Sequence, residues 1–331
     1  MRSTTATFFL SLFGLILLLT SCGQKREPIN IGGNTWLGYQ PYYLAKEEFG
    51  CSACPTHDSY VGGQAFRINM MPATTSTLRL FGTGELDGAL LTLDEAIGFQ
   101  SRTQIPICVA QILSYSDGAD AILAMPDFDP DRPFVIGNEQ SALGGFKTAR
   151  GIEALKWIDK PFEQRVVHPA SHVDALLSGE VNVVVTYEPY VSKLVERGAM
   201  VLFSSRDMPG EILDVLVVRQ DIARRHEDSL IWLGSSFWYH GLSMMKEREE
   251  SLKFIAARTG ADLSDLQTAL SGIHFPSWRE AQAFAEQDYA RILGVLNHYL
   301  LSYQHLTVPG NIPLCENIIY ADPAPAISFY D

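Results

Sequence analysis

LRLFGTGELDGALLTLDE, residues 78–95, and VDALLSGEVNVVVTYEP, residues 173–189, are two copies of one pattern. Each runs from an apolar helical stretch through Gly-Glu into a short apolar strand, then threonine, one further residue and an acid. Gly84-Glu85 and Thr92-Leu93-Asp94 thus echo Gly179-Glu180 and Thr186-Tyr187-Glu188, with one residue's difference in strand length. Two α/β halves that end their strands on matched acids predict two lobes facing a shared cleft. Ligands of open α/β sheets bind beyond the carboxyl ends of the strands, so Asp94 and Glu188 mark where a site should lie. The plainer alternative for each is helix capping at Asp94 and an ordinary strand-end acid at Glu188.

The elements around these copies keep the same rhythm. Strands are predicted over residues 29–32, 66–71, 86–91 and 107–113, with helices over 41–49, 75–81 and 94–101 between them. The second stretch repeats the theme, with strands over 134–136, 165–167, 181–186, 200–203 and 212–218 and helices over 143–157, 173–178 and 190–197. Short apolar strands between helices imply an α/β fold with buried sheets. After Arg219 the sequence turns mostly helical to about residue 302, and the proline-bearing tail reads as an extended wrap.

The N-terminus sets the compartment. One basic residue, Arg2, precedes an apolar run over residues 8–19, and Thr20-Ser21-Cys22 follows. Twelve residues are too few to span a bilayer and suit a signal-peptide core. Leu19-Thr20-Ser21-Cys22 resembles a bacterial lipobox, which implies cleavage after residue 21, diacylglycerol on Cys22 and a tether over residues 22–28. The alternative is an ordinary secretory signal with a chance cysteine. Acyl chains contribute about 0.8 kcal/mol per buried CH₂, so several of them anchor a chain stably. A formal net charge of −13 argues against nucleic acid or anionic lipid headgroups as partners. Of the other cysteines, Cys108 sits in an apolar run and reads as a buried free thiol. The cluster Cys51-Ser-Ala-Cys54-Pro-Thr-His57 reads first as a loop disulfide, within the pair or to Cys315, because thiols oxidise outside the cytoplasm. A metal site would need ligands beyond His57, and free thiols are the third reading.

The opening INIGGNTWLGYQPYYLAKEE, residues 29–48, resembles that of the solute-binding proteins of ABC transporters of the nitrate/sulfonate/taurine type, a superfamily that also holds binders of thiamine-pyrimidine precursors. Residues 84–96, SDGADAIL (116–123), VVVTYEPY (183–190) and DVLVVR (214–219) follow the same order of elements. The resemblance implies a type II periplasmic-binding fold with two crossings between lobes. Residues 29–117 and 219–331 would form lobe one and 118–218 lobe two, closing by a hinge around a small solute. By the same resemblance Trp36 and Tyr39 would line the cleft from the loop after the first strand. Thr92 and Asp94 would stand at one strand end, Ser116 and Asp117 at the hinge, and Tyr187 and Glu188 at the lobe-two strand end. Asp214 would lie on the return crossing. Glu139 and Ser141 precede a lobe-two helix whose free N–H groups could hold a polar ligand atom. The expected partners are a membrane permease, or a membrane sensor in place of transport, and the chain is expected to be a monomer on the periplasmic or extracellular face.

These candidates include Asp94, Asp117, Glu139, Glu188 and Asp214, with no lysine or arginine evident among them. Nitrate or sulfonate would leave buried acids beside a ligand of like charge. An amine, amidine or aminopyrimidine would pair with an acid and pack on Trp36 or Tyr39. An enzymatic role is not expected, nor a cofactor or metal. The superfamily contains a thiamine-pyrimidine synthase, but its motif of adjacent cysteines is absent here. His168 and His172 have no nucleophile at motif spacing, and no nucleotide-binding glycine signature stands out.

Overall fold

The structure, a computed structural model, describes residues 27–49, 59–61, 64–259, 262–303 and 306–322. Cys22, Cys51, Cys54 and His57 lie outside the described residues. Seven strands make one sheet: β1 (Ile29–Gly33), β2 (Ser59–Val61), β3 (Gln64–Met70), β4 (Gly88–Thr92), β5 (Ile107–Ser116), β11 (Leu213–Arg219) and β12 (Ile273–His274). The other five make a second sheet: β6 (Asp120–Ala124), β7 (Phe134–Asn138), β8 (Phe162–Val166), β9 (Val183–Tyr187) and β10 (Met200–Ser204). Their orders are β12-β5-β11-β4-β1-β3-β2 and β10-β6-β9-β7-β8. In each sheet the inner strands from βα units run parallel, and strands next to a crossing run antiparallel: β11 pairs with β4 and β5, and β6 with β9 and β10.

Helices α1 (Gln40–Phe49), α2 (Thr74–Thr83) and α3 (Leu93–Thr103) belong to the first sheet. Helices α4 (Ala142–Ala154), α5 (His172–Leu177) and α6 (Tyr190–Glu196) belong to the second. The helical region expected after Arg219 comprises α7 (Gln220–Arg225), α8 (Glu227–Trp232), α9 (Trp238–Glu247), α10 (Glu249–Thr259), α11 (Leu263–Ser271), α12 (Trp278–Gln287), α13 (Tyr289–Ser302) and α14 (Glu316–Ile319). Among the described residues no helix is long and apolar enough to cross a membrane.

The repeat folds once in each sheet, as α2–β4 and α5–β9. Both Gly-Glu corners turn on a left-handed glycine, Gly84 at φ 86° and Gly179 at φ 75°. A Cβ would be strained there, which explains why glycine closes the helix in both copies. The strands beyond read as apolar runs because both of their faces are covered: all five residues of β4 are buried, and four of the five in β9.

Two chain segments join the sheets. Asp117–Ala119 leads from β5 to β6, and Ser205–Ile212 returns from β10 to β11. The Ser116 and Ser205 hydroxyls lie 2.8 Å apart, and Gly118 N donates to Ser205 Oγ at 2.6 Å. Gly272 holds the first crossing by accepting from Asp117 N at 2.8 Å and Ala119 N at 3.1 Å. The return comes earlier than expected. Strand β11 pairs with β5 from Leu213 to Arg219, so the boundary expected at Val218 falls before Leu213. Strand β6 departs from the sequence reading: no strand is predicted between residues 113 and 134, yet Asp120–Ala124 is five buried residues between β9 and β10.

Cys108 is not a free thiol. It forms a disulfide with Cys315, 207 positions away. The tail segment before Cys315 lies along β5, with Val109 N donating to Pro313 O and Cys315 N to Val109 O. That contact brings the two sulfurs together, and no feature of the local sequence announces it.

Candidate functional site

Across the two crossings, Trp36 beyond β1 meets Tyr187 at the end of β9. On the seven-stranded side, Asp214 is the register partner of Thr92, so both side chains stand on one face at the sheet's end. Trp36, in the loop after β1, donates its indole N–H to Asp214 Oδ2 at 2.9 Å, and Ser114 Oγ donates to the same oxygen at 2.6 Å. Gly38 permits this convergence. A Cβ there would lie 2.5 Å from Trp36 Nε1 and 2.7 Å from both Asp214 Oδ2 and Ser114 Oγ. Asp214 Oδ1 is buried without a well-formed hydrogen bond, beside buried Tyr39. Burial pushes the Asp214 carboxyl up to about 7, although the Ser114 and Trp36 donors pull the other way. Burial, then the Asp214 charge, raises the Tyr39 hydroxyl well above its usual range.

Asp94 and Glu95 open helix α3. Glu95 serves its own helix, since its Oε2 accepts from Thr92 N at 3.1 Å and closes a capping box with Thr92. Asp94 has no such local role. It is 1% exposed, and neither carboxylate oxygen makes a well-formed hydrogen bond. Burial drives its pKa up to about 6, with Thr92, its own backbone and then Lys147 opposing and Glu139 adding to the rise. Glu95 is pushed to about 8 by burial and then by the charge of Asp94.

The five-stranded side mirrors this arrangement with different chemistry. Asp120 begins the strand that follows its crossing, as Asp214 does near the start of β11, and it pairs in register with Tyr187. Asp120 has a cation: Lys147 Nζ lies 2.8 Å from Oδ1, with both side chains 2% exposed. The same ammonium sits 5.0 Å from the Tyr187 ring centroid. Tyr187 meets Trp36 edge-on across the cleft at 5.9 Å and Tyr190 at 5.7 Å. Burial, then Glu139, raises the Tyr187 hydroxyl far above its usual range. Half-buried Glu139 therefore acts electrostatically on Asp94, Glu95, Tyr187 and Tyr190 together.

Trp36, Tyr39, Thr92, Asp94, Glu139, Tyr187 and Asp214 thus converge. The other candidates are occupied elsewhere. Ser116 binds Ser205 at the crossing, and exposed Asp117 lies 3.7 Å from Arg206. Ser141 caps α4 by accepting from Gly144 N at 2.9 Å, so its hydroxyl fills the place a ligand atom would take. Glu188 does not present the free carboxylate to the cleft that its strand-end position suggests. Instead it accepts from Ser192 Oγ at 2.8 Å and Ser192 N at 3.1 Å, tying down the first turn of α6. Lys147 overturns the expectation of a cleft without cations. It follows Phe146 on the buried side of α4, and a lysine among Leu143, Phe146 and Ala149 was the available signal. Among the described residues no group of three or more His, Cys, Asp or Glu could hold a metal ion.

No protein-family model matches the chain, and no curated protein matches it. Solved structures do. The ligand-binding component of an ABC-type import system from Staphylococcus aureus, with zinc bound, superposes with a TM-score of 0.69 at 12% identity, over 90% of this chain and 100% of that one. The periplasmic aliphatic sulphonate binding protein of Escherichia coli gives 0.68 at 14% identity, over 89% and 99%. A Candida albicans protein with the generic periplasmic binding protein fold gives 0.62 at 13% identity, over 86% and 92%. The chain therefore has the periplasmic-binding fold, with mixed α/β architecture and two sheets.

Proposed function

We propose that the protein is an extracytoplasmic solute-binding lipoprotein of an ABC importer, and that it captures a small nitrogenous cation between its two lobes. Lobe one is built on the seven-stranded sheet and lobe two on the five-stranded sheet, with Cys22 as the acyl-bearing anchor and a membrane permease as the receiving partner. The fold and the import role of the similar proteins support the coarse part of the reading. The Cys108–Cys315 disulfide fits a chain that folds outside the cytoplasm. Labelled palmitate on the wild type but not on Cys22→Ser would check the anchor.

One observation supports the ligand class: Asp94 and Asp214 are buried and neither forms an ion pair, whereas Lys147 pairs with Asp120 and reaches Asp94 only through its charge. Two carboxyl groups taken out of water without a counter-charge are costly, and the cost falls when a cation enters. An amine, amidine or aminopyrimidine supplies that charge and several N–H donors, with Trp36 and Tyr187 as aromatic walls. A sulfonate would meet Asp94 with like charge, and Lys147 is already engaged by Asp120.

The test is a thermal-shift screen of the purified protein against amines, amidines, aminopyrimidines, sulfonates and nitrate, followed by calorimetry on the strongest hit. Loss of a buried charged hydrogen bond costs about 2–5 kcal/mol, or roughly 30- to 4,000-fold in affinity. Asp94→Asn should weaken binding on that scale, and Glu249→Ala, on the exposed start of α10, should leave it unchanged. A screen answered only by sulfonates or nitrate, or an unaltered affinity in Asp94→Asn, would overturn the ligand class.

A further inference from the structure

Helix α4 carries a second constellation on another of its faces. Phe146, Arg150 and Glu153 follow at spacings of four and three, which aligns them along one side of the helix. All three meet Tyr299, which belongs to α13 in the region beyond the return crossing. Phe146 packs edge-on against the Tyr299 ring at 5.8 Å. The Arg150 guanidinium lies over that ring at 5.1 Å, and its Nη1 donates to the Tyr299 hydroxyl at 3.1 Å. The hydroxyl in turn donates to Glu153. The rest of the Arg150 fork grips Glu211, with Nε on Oε2 at 2.7 Å and Nη2 on Oε1 at 3.1 Å.

These partners belong to three different bodies. Arg150 rides with the five-stranded sheet, Tyr299 with the helices beyond β11, and Glu211 sits in the crossing one residue before Ile212. Ile212 O accepts from Ser116 N, so Glu211 is close to the pivot. Rotation of one sheet against the other about these crossings leaves Arg150 near Glu211 but draws it away from Tyr299. The ion pair is well sheltered, with Arg150 17% and Glu211 10% exposed, and a bidentate arginine–carboxylate grip holds the guanidinium in a fixed direction. It aims the remaining N–H at Tyr299. Ser141 caps the start of the same helix and Lys147 lies at its middle, so the helix links this contact to the cleft.

We propose that Arg150, held by Glu211 and closing on Tyr299, is a latch that sets the balance between closed and open lobes. It touches no ligand and acts through the position of α4. The proposal rests on the two sheets closing as lobes over a solute, not on which solute it is. The measurement therefore uses no ligand: small-angle scattering of the purified protein, with circular dichroism to establish folding. A closed chain of this length should have a radius of gyration near about 20 Å. Removing a hydrogen bond to a charged group should move the closed-to-open ratio about 10- to 100-fold toward open. Arg150→Ala and Tyr299→Leu should both expand the particle while keeping wild-type circular dichroism. Tyr299→Phe, which keeps the ring under the guanidinium, should expand it less. If Arg150→Ala does not fold, the two tyrosine variants carry the same comparison. Folded tyrosine variants that scatter as the wild type does would overturn the latch, whatever the solute screen shows.

Discussion

Replacing Asp214 with asparagine should make the ligand-free protein more stable at pH 8 and nearly unchanged at pH 4.5. Burial raises the Asp214 carboxyl from 3.8 to about 7 in the folded chain. The unfolded chain, with an ordinary carboxyl, has released this proton by about pH 5. Between about pH 4 and pH 7 the folded state therefore binds more protons than the unfolded state, and stability falls as pH rises across that window. A shift of about 3 pKa units corresponds to about 4 kcal/mol lost once both states have ionised. Asparagine removes the charge and keeps an oxygen that can accept from Trp36 Nε1 and Ser114 Oγ. Its new amide donor must still find a partner near Tyr39, so the realised gain should be about 2–4 kcal/mol. In a chain of this size that is a rise in Tm of about 3–6 °C. Thermal unfolding of both proteins at half-unit steps from pH 4.5 to pH 8.5 gives the curve directly. The Asp94 and Glu95 contributions occur in both proteins and cancel in the difference. A Tm gap that does not grow with pH, or a variant less stable at pH 8, would refute the reasoning.

Two further outcomes bear on the frame of the site. Lys147→Met should destabilise the protein by about 3–5 kcal/mol because it leaves Asp120 buried without its cation, and adding Asp120→Asn should recover most of that loss in chemical denaturation. An unaffected Lys147→Met would mean that Asp120 is not charged in the folded chain. Reducing the Cys108–Cys315 disulfide, which closes a loop of 207 positions, should cost about 2–5 kcal/mol, seen as a lower Tm in dithiothreitol for the wild type and no such effect in Cys108→Ala.

The fold was legible because it depends on periodicity and corners. Gly84 and Gly179 mark left-handed turns, and the apolar runs that follow could only be buried strands. Strand β6 was missed because its five residues directly follow the crossing and carry no turn signal of their own. Where Thr92 and Asp94 lie could be read from the end of their strand, whereas Asp214, expected on the return crossing, falls inside β11. The site was not legible where a role depends on a partner brought by the fold. Sequence gives Glu188 and Asp94 equal standing, yet Ser192, one turn further on, takes up Glu188, while Asp94 makes no well-formed hydrogen bond. Lys147 reaches Asp120 from 27 positions away, and Cys108 reaches Cys315 along a tail segment that joins β5 only in the folded chain.

The unequal fates of the repeated acids say more about function than their similarity does. In lobe two each acid has found its partner within the lobe: Glu188 on Ser192, Asp120 on Lys147. On the seven-stranded side Asp94 makes no well-formed hydrogen bond, and Asp214 has only neutral neighbours, Trp36, Ser114 and Tyr39. Were the cleft acids merely structural, both copies should have been satisfied locally, since an unpaired buried carboxyl costs stability in every molecule at every moment. The carboxyl oxygens without a well-formed partner stand on the seven-stranded side, beside Trp36 and its contact with Tyr187. On the reading proposed above, a cationic solute would supply the charge that the acids on the seven-stranded side lack. A solute that supplies the charge lobe one lacks would gain most when the Tyr187 wall closes over it, which ties affinity to closure.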